Sequence, residues 1–271
     1  MDLIRQLIAP AALIACLGCG EGKEETKAAS SSSGTPAAKP ADTQKAPAVD
    51  LSKTGTIKGT VKYTGPKVEP RMNKMDADAK CKEMHPEPVP ADDFVVDASG
   101  NLQWTFLYVK ELSGQSFPTP TEQVVLNQKG CHYEPHVLGV MVNQELKILN
   151  SDNLMHNIHS YPVAGSKNKG FNEAQAIPGD ATAKVKKFAY PEKAMKVKCD
   201  VHTWMGGYIH VMDHPCFAVS STTGEFEIKG CPAGEYTLVA WHERLGEQTQ
   251  KVKVDAGATA TAAFDFKEAP K

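Results

Sequence analysis

The sequence has no surplus of positive charge: 30 Lys and Arg stand against 32 Asp and Glu, a formal net charge of −2. It also lacks any lysine-arginine run interleaved with aromatic residues, and together these absences exclude a binder of nucleic-acid backbones. Long apolar runs are missing beyond the N-terminus. The one that exists, Leu3 to Leu17, is too short to span a bilayer. With Arg5 at its head it has the make-up of an export signal. Amphipathic helical periodicity of any length is lacking, so the folded part is expected to be all-β. No nucleophile stands with a recognisable base, and no enzymatic activity is expected.

Among the features present, seven cysteines in an exported chain need an accounting, because an oxidising compartment favours disulfides over free thiols. Leu13-Ile14-Ala15-Cys16 resembles the lipobox of bacterial lipoproteins, with Cys19 as the rival acylation site. That resemblance implies a chain anchored by lipid to a membrane, in the bacterial periplasm or at the cell surface. Of the three pairings that Cys81, Cys131, Cys216 and Cys231 permit, Cys81–Cys131 with Cys216–Cys231 is preferred. Cys199 is then left unpaired. Between the leader (1–19) and residue 53, Ser, Ala, Pro, Lys and Glu dominate. This composition buries too little to offset ordering entropy and reads as a tether (20–53).

Beyond the tether, Thr56–Tyr63 alternates with period two, and strand-like runs recur at Phe94–Asp97, Leu102–Lys110, Val137–Asn150 and Lys184–Phe188, separated by turn signals such as Pro178-Gly179-Asp180. A β-sandwich is the expected class. The C-terminal segment, with Gly224-Glu225-Phe226 followed by Pro232-Ala233-Gly234-Glu235-Tyr236-Thr237-Leu238, resembles the carboxypeptidase regulatory-like, transthyretin-like sandwich. In that family an opening strand like Gly55–Gly65 comes shortly before this pattern, whereas here more than a hundred residues intervene. The resemblance implies a discontinuous sandwich built from residues 54–112 and 216–271, the alternative being that Gly55–Leu112 and Phe217–Lys267 are independent additions to a central domain; either way residues 113–215 are expected to form a unit of their own.

Within that insertion, Cys199-Asp200-Val201-His202-Thr203-Trp204-Met205 sets a thiol, an imidazole and a thioether at offsets 0, +3 and +6. His156-Asn157 upstream offers a second imidazole. A His₂Cys plane with a weak axial Met suits both oxidation states of copper, so little reorganises when an electron moves. Zinc accepts Cys and His but not Met. His159 competes with His156, but an odd offset on a strand points to the opposite face.

These residues resemble the cupredoxins, with loop lengths similar to amicyanin's. The resemblance implies a Greek-key β-sandwich over residues 113–215 holding one copper ion through His156, Cys199, His202 and Met205. It implies that Asn157 braces the ligand loop and that the outer edge of His202 reaches the surface as the electron port, beside Trp204, Gly206 and Gly207. A blue-copper electron carrier serving redox proteins, either cytochromes or membrane oxidoreductases, is expected. Extracytoplasmic copper binding and delivery is the alternative, and a carbohydrate-associated or adhesive sandwich the third reading. The loop 199–205 has no second cysteine for a dinuclear centre, and His-x-His pairs for multicopper chemistry are absent. His85, His132, His136, His210, His214 and His242 are assigned no site, and Trp241-His242-Glu243 is read as strand-end structure.

Overall fold

The computed structural model describes residues 50–270. The leader, with Cys16 and Cys19, and the tether up to residue 49 lie outside the described residues. Within them the chain is all-β, as expected: sixteen strands accompany one short helix. None of the described helices is long and apolar enough to cross a membrane.

In chain order, β1 (Thr54–Tyr63) and β2 (Phe106–Val109) flank a 3-10 turn (Met75–Ala77) and helix α1 (Ala79–Met84). There follow β3 (Val124–Lys129), β4 (His132–Glu134), β5 (Val137–Met141), β6 (Leu146–Asn150) and β7 (His156–Tyr161). Next come β8 (Asn172–Gln175), β9 (Lys184–Lys186), β10 (Glu192–Lys198) and β11 (Gly206–Met212). The chain closes with β12 (Phe217–Val219), β13 (Glu225–Pro232), β14 (Gly234–His242), β15 (Gly246–Val254) and β16 (Thr259–Phe266).

These strands build four sheets, ordered β13-β1-β16, β12-β2-β14-β15, β5-β11-β10-β7-β8 and β4-β3-β6-β9. The first two sheets share a core of Ile57, Val61, Leu107, Val109, Ile228, Leu238 and Phe264. The last two share another, containing Leu126, Ile148, Ile158, Val197, Ile209 and Val211. A third, smaller cluster joins the sandwiches where Phe106 and Tyr108 of β2 and Val239 of β14 meet Val137 and Met212. Successive residues of a strand point to opposite faces, so β2 feeds two cores at once. All four of its residues are buried, which is why Phe106-Leu107-Tyr108-Val109 is an unbroken apolar run rather than an alternation.

β1 lies antiparallel to β13 and parallel to β16, so segments on either side of residues 113–215 complete one sandwich between them. The cores divide residues 54–112 differently from the expected boundary. Met75 and Cys81 pack into the second core, with Val89 against it, while β1 and β2 serve the first. The run Val137–Asn150 breaks into β5 and β6 at a turn where Asn143 takes φ 62°, a left-handed conformation that asparagine tolerates. Helix α1 is too short for periodicity to signal it. Its mark in the sequence is the cap, Asp78 accepting from the Lys80 and Cys81 backbone N–H groups.

Cys81 and Cys131 are joined. Cys216 and Cys231 are not: both are buried free thiols in the first core, which corrects the second expected bridge. The Cys231 thiol beside it and its own burial push the Cys216 thiol far up.

Candidate metal centre

Three adjacent strands set the site. His156 opens β7, which pairs with β10 in the register Lys198↔His159 and Val197↔Ser160. Cys199 follows β10, and the loop from it re-enters the sheet at Gly206 opposite Lys198. That loop is wound on itself: Cys199 N donates to Met205 O at 3.2 Å and Met205 N to His202 O at 2.9 Å. The His202 N–H points at Cys199 Sγ at 3.3 Å. Gly207 sits where a Cβ would come within 2.6 Å of the His136 carbonyl, so only glycine lets β11 leave the loop along this path.

His156 Nδ1 and His202 Nδ1 face each other at 3.0 Å, and Cys199 Sγ lies 3.8 Å from His202 Nδ1. All three side chains are buried and their ligand atoms lie within 4.8 Å of one another. Met205 is buried in the same core, tied through its main chain to Cys199 and His202. Asn157 Oδ1 accepts from Asp200 N at 2.7 Å and lies 3.3 Å from Cys199 Sγ, so it grips the start of the loop. Its Nδ2 donates to Asp200 and Asn172. His159 points the other way, toward Asp200 at 3.2 Å.

Sequence reasoning missed two carboxylates. Asp152 is buried, and its Oδ2 lies 2.8 Å from His156 Nε2. It also accepts from Gly130 N and Cys131 N at 2.7 and 2.8 Å. Those two residues form the two-residue loop of the β3–β4 hairpin at φ 61° and 58°, the type I′ pattern, which aims both N–H groups inward. The second carboxylate, Asp78, caps α1 and places Oδ2 3.5 Å from His202 Nε2. The sequence signal for Asp152 was its place four residues before His156. For Asp78 it was the helix cap.

These contacts set the protonation. Burial would push Asp152 up, but His156 and the two backbone donors outweigh it and hold the carboxyl low. Burial likewise opposes charging His156, yet Asp152 and Cys199 raise it on balance. His202 is lowered, by burial and by His156 beside it. Burial acts to raise the Cys199 thiol, but the His156 contact and loop N–H groups bring it below its ordinary value. Of the two rings, His156 is the one whose protonation the site favours, and His202 the one whose protonation it opposes.

The expected electron port is closed. His202 is only 2 % exposed, because Asp78 and α1 lie over its outer nitrogen. This covering segment is secured by the Cys81–Cys131 bridge, by Lys80 Nζ donating to the Asn153 carbonyl and by a His85–Gly130 contact.

A family model described as fn3_3, polysaccharide lyase family 4, domain II, matches residues 217–262. No curated protein matches the chain. Among solved structures, a Cu-containing nitrite reductase from Thermus scotoductus is similar at 20% identity and TM-score 0.31, over 37% of this chain. The match spans only 24% of that reductase. A Cu(I) amicyanin variant is similar at 18% identity and TM-score 0.29, over 33% of this chain and 81% of its own. A purple cupredoxin from Nitrosopumilus maritimus is similar at 24% identity and TM-score 0.28, over 32% and 98%.

Proposed function

We propose that this protein is an extracytoplasmic one-electron carrier that holds a single copper ion on His156, Cys199, His202 and Met205. The observation that carries the reading is the convergence of two imidazole Nδ1 atoms and one thiol on a single buried point. His156 Nε2 is already committed to Asp152, which leaves Nδ1 as the donor atom and makes it a stronger one. The donor set fits copper: soft sulfur with two borderline nitrogens, and a thioether in the loop that ends the site. Copper held there supplies a one-electron couple.

The residues do the rest. Asn157 and the loop's main-chain bonds keep Cys199 and His202 at fixed separation, so the donors have little to rearrange when the charge changes. Burial excludes water and with it competing hydrolytic chemistry. An enclosed site of this kind suits retention of the metal, whereas delivery needs an open cluster that exchanges it. In the same reading the chain is exported, anchored to a membrane through lipid on Cys16 or Cys19, and meets cytochromes or membrane oxidoreductases at the reach of its tether.

The test is a copper(II) titration of the metal-free protein followed by absorbance. One equivalent should bring up an intense thiolate-to-copper band in the visible. Copper bound without that band, or Cys199 recovered in a disulfide, would sink the reading.

A further inference from the structure

With the outer edge of His202 under Asp78, an electron needs another way out, and the rings around the site offer one. The Trp204 ring centroid is 5.2 Å from that of His202, and its Nε1–H donates to the Cys131 carbonyl at 3.2 Å, which fixes the indole. Trp204 is half-buried and lines a cleft of about 390 Å³.

The charges around that cleft are unbalanced. Its carboxylates are already engaged: Asp93 pairs with Arg71 and Arg244, while Asp92 and Glu243 lie against the rings of His132 and His136. Lys74, Lys196 and Lys198 line the same cleft, and none has a carboxylate partner among the described residues. Lys196 and Lys198 lie instead beside the rings of Tyr208 and Tyr161. Three lysines without a carboxylate partner thus line the same cleft as an indole whose ring centroid lies 5.2 Å from that of His202.

We propose that this cleft is the electron-transfer face of the protein, that Trp204 relays the electron to and from His202, and that the partner presents an acidic surface to Lys74, Lys196 and Lys198. The inference rests on the copper reading above. Complementary charge steers association and makes it fall with ionic strength. The competing face is the exposed apolar pair Met155 and Val201, next to His156 and within the ligand loop.

Two outer-sphere oxidants decide between the faces: anionic hexacyanoferrate(III) and cationic tris(phenanthroline)cobalt(III). Each takes one electron from the reduced site, and no proton or bond is exchanged. Oxidation by hexacyanoferrate(III) should slow as salt is added. It should slow about tenfold at low salt in the Lys74→Glu, Lys196→Glu, Lys198→Glu protein, while the cationic oxidant speeds up. Trp204→Leu should slow both oxidants with the visible band unchanged. Met155→Ala and Val201→Ala should leave both rates as they were. Without any metal, redox-inert hexacyanocobaltate(III) should shift the backbone amide resonances of Lys74, Lys196 and Lys198. An intact visible band with rates indifferent to the lysines and to Trp204, or governed by Met155 and Val201, overturns the cleft alone. A missing band in the unaltered protein overturns the copper reading beneath it.

Discussion

The candidate metal centre and the junction between the two sandwiches both bury histidines fully, and they treat them in opposite ways. At the junction side, His210, His214 and His242 each accept a backbone N–H on Nδ1, from Ala194, Cys216 and Arg244. Their protons are therefore on Nε2, where no acceptor is found. Burial holds them down to about 3, about 4 and about 3, and His210 lies flat on Phe106 with ring centroids 3.8 Å apart. They act as apolar plates. In the candidate metal centre the main chain leaves Nδ1 of His156 and His202 free to face each other, and a carboxylate lies beside each Nε2, Asp152 from within the core and Asp78 from the partly exposed cap of α1. Burial alone therefore does not distinguish a ligand from a filler. What distinguishes them is which ring nitrogen the main chain has taken.

The sharpest break of this contrast is Cys199→Ser. It should abolish the visible copper band while far-UV circular dichroism keeps its β signature, since the sheets around the loop are complete without the sulfur. Loss of the fold instead would make Cys199 a packing residue like those of the junction. Next in size, replacing Cys81 and Cys131 by serine opens a bridge spanning 50 residues and should cost about 4 kcal/mol in urea unfolding. It should also raise the solvent accessibility of His202.

Acid tests the other half of the comparison. The junction histidines have folded pKa values below their unfolded ones, so their full stability is present above about pH 6.5 and is lost as pH falls toward 3 to 4. By pH 5 each should cost about 1–2 kcal/mol. Urea unfolding of the metal-free protein at pH 7 and pH 5 would measure this. His210→Leu should remove one share of the loss, and an unchanged slope in that variant would show that the ring takes up its proton equally in the folded and unfolded chain. The smallest effect expected is Met205→Gln, which exchanges a thioether favouring Cu(I) for a harder oxygen. The band should persist and the reduction potential fall by about 60–120 mV, one to two decades in the electron equilibrium. An unchanged potential would remove Met205 from the ligand set.

The candidate ligands were legible because their chemistry is local: Cys199, His202 and Met205 sit within one short loop, and His156-Asn157 opens a strand whose alternation already separates His156 from His159. Asp152 was visible but mute. Its role depends on Gly130 and Cys131, more than twenty residues away, turning their N–H groups toward it. Of the cover over His202 only the cap residue Asp78 left a mark in the sequence, since the cover joins residue 78 to residue 202 through a helix too short for any periodic signal. Similarly, the apolar run Leu102–Lys110 predicted a strand, but nothing in it revealed that Phe106 and Tyr108 would face a different sandwich from Leu107 and Val109.

That last strand has an architectural consequence. A party wall belongs to both houses, and β2, four residues long, is one: Leu107 and Val109 finish the room on one side, Phe106 and Tyr108 the room on the other. Cutting the sandwich with the candidate metal site out at residue 113 would leave Val137, His210 and Met212 without the wall they lean on, so the two sandwiches have to be expressed and altered together.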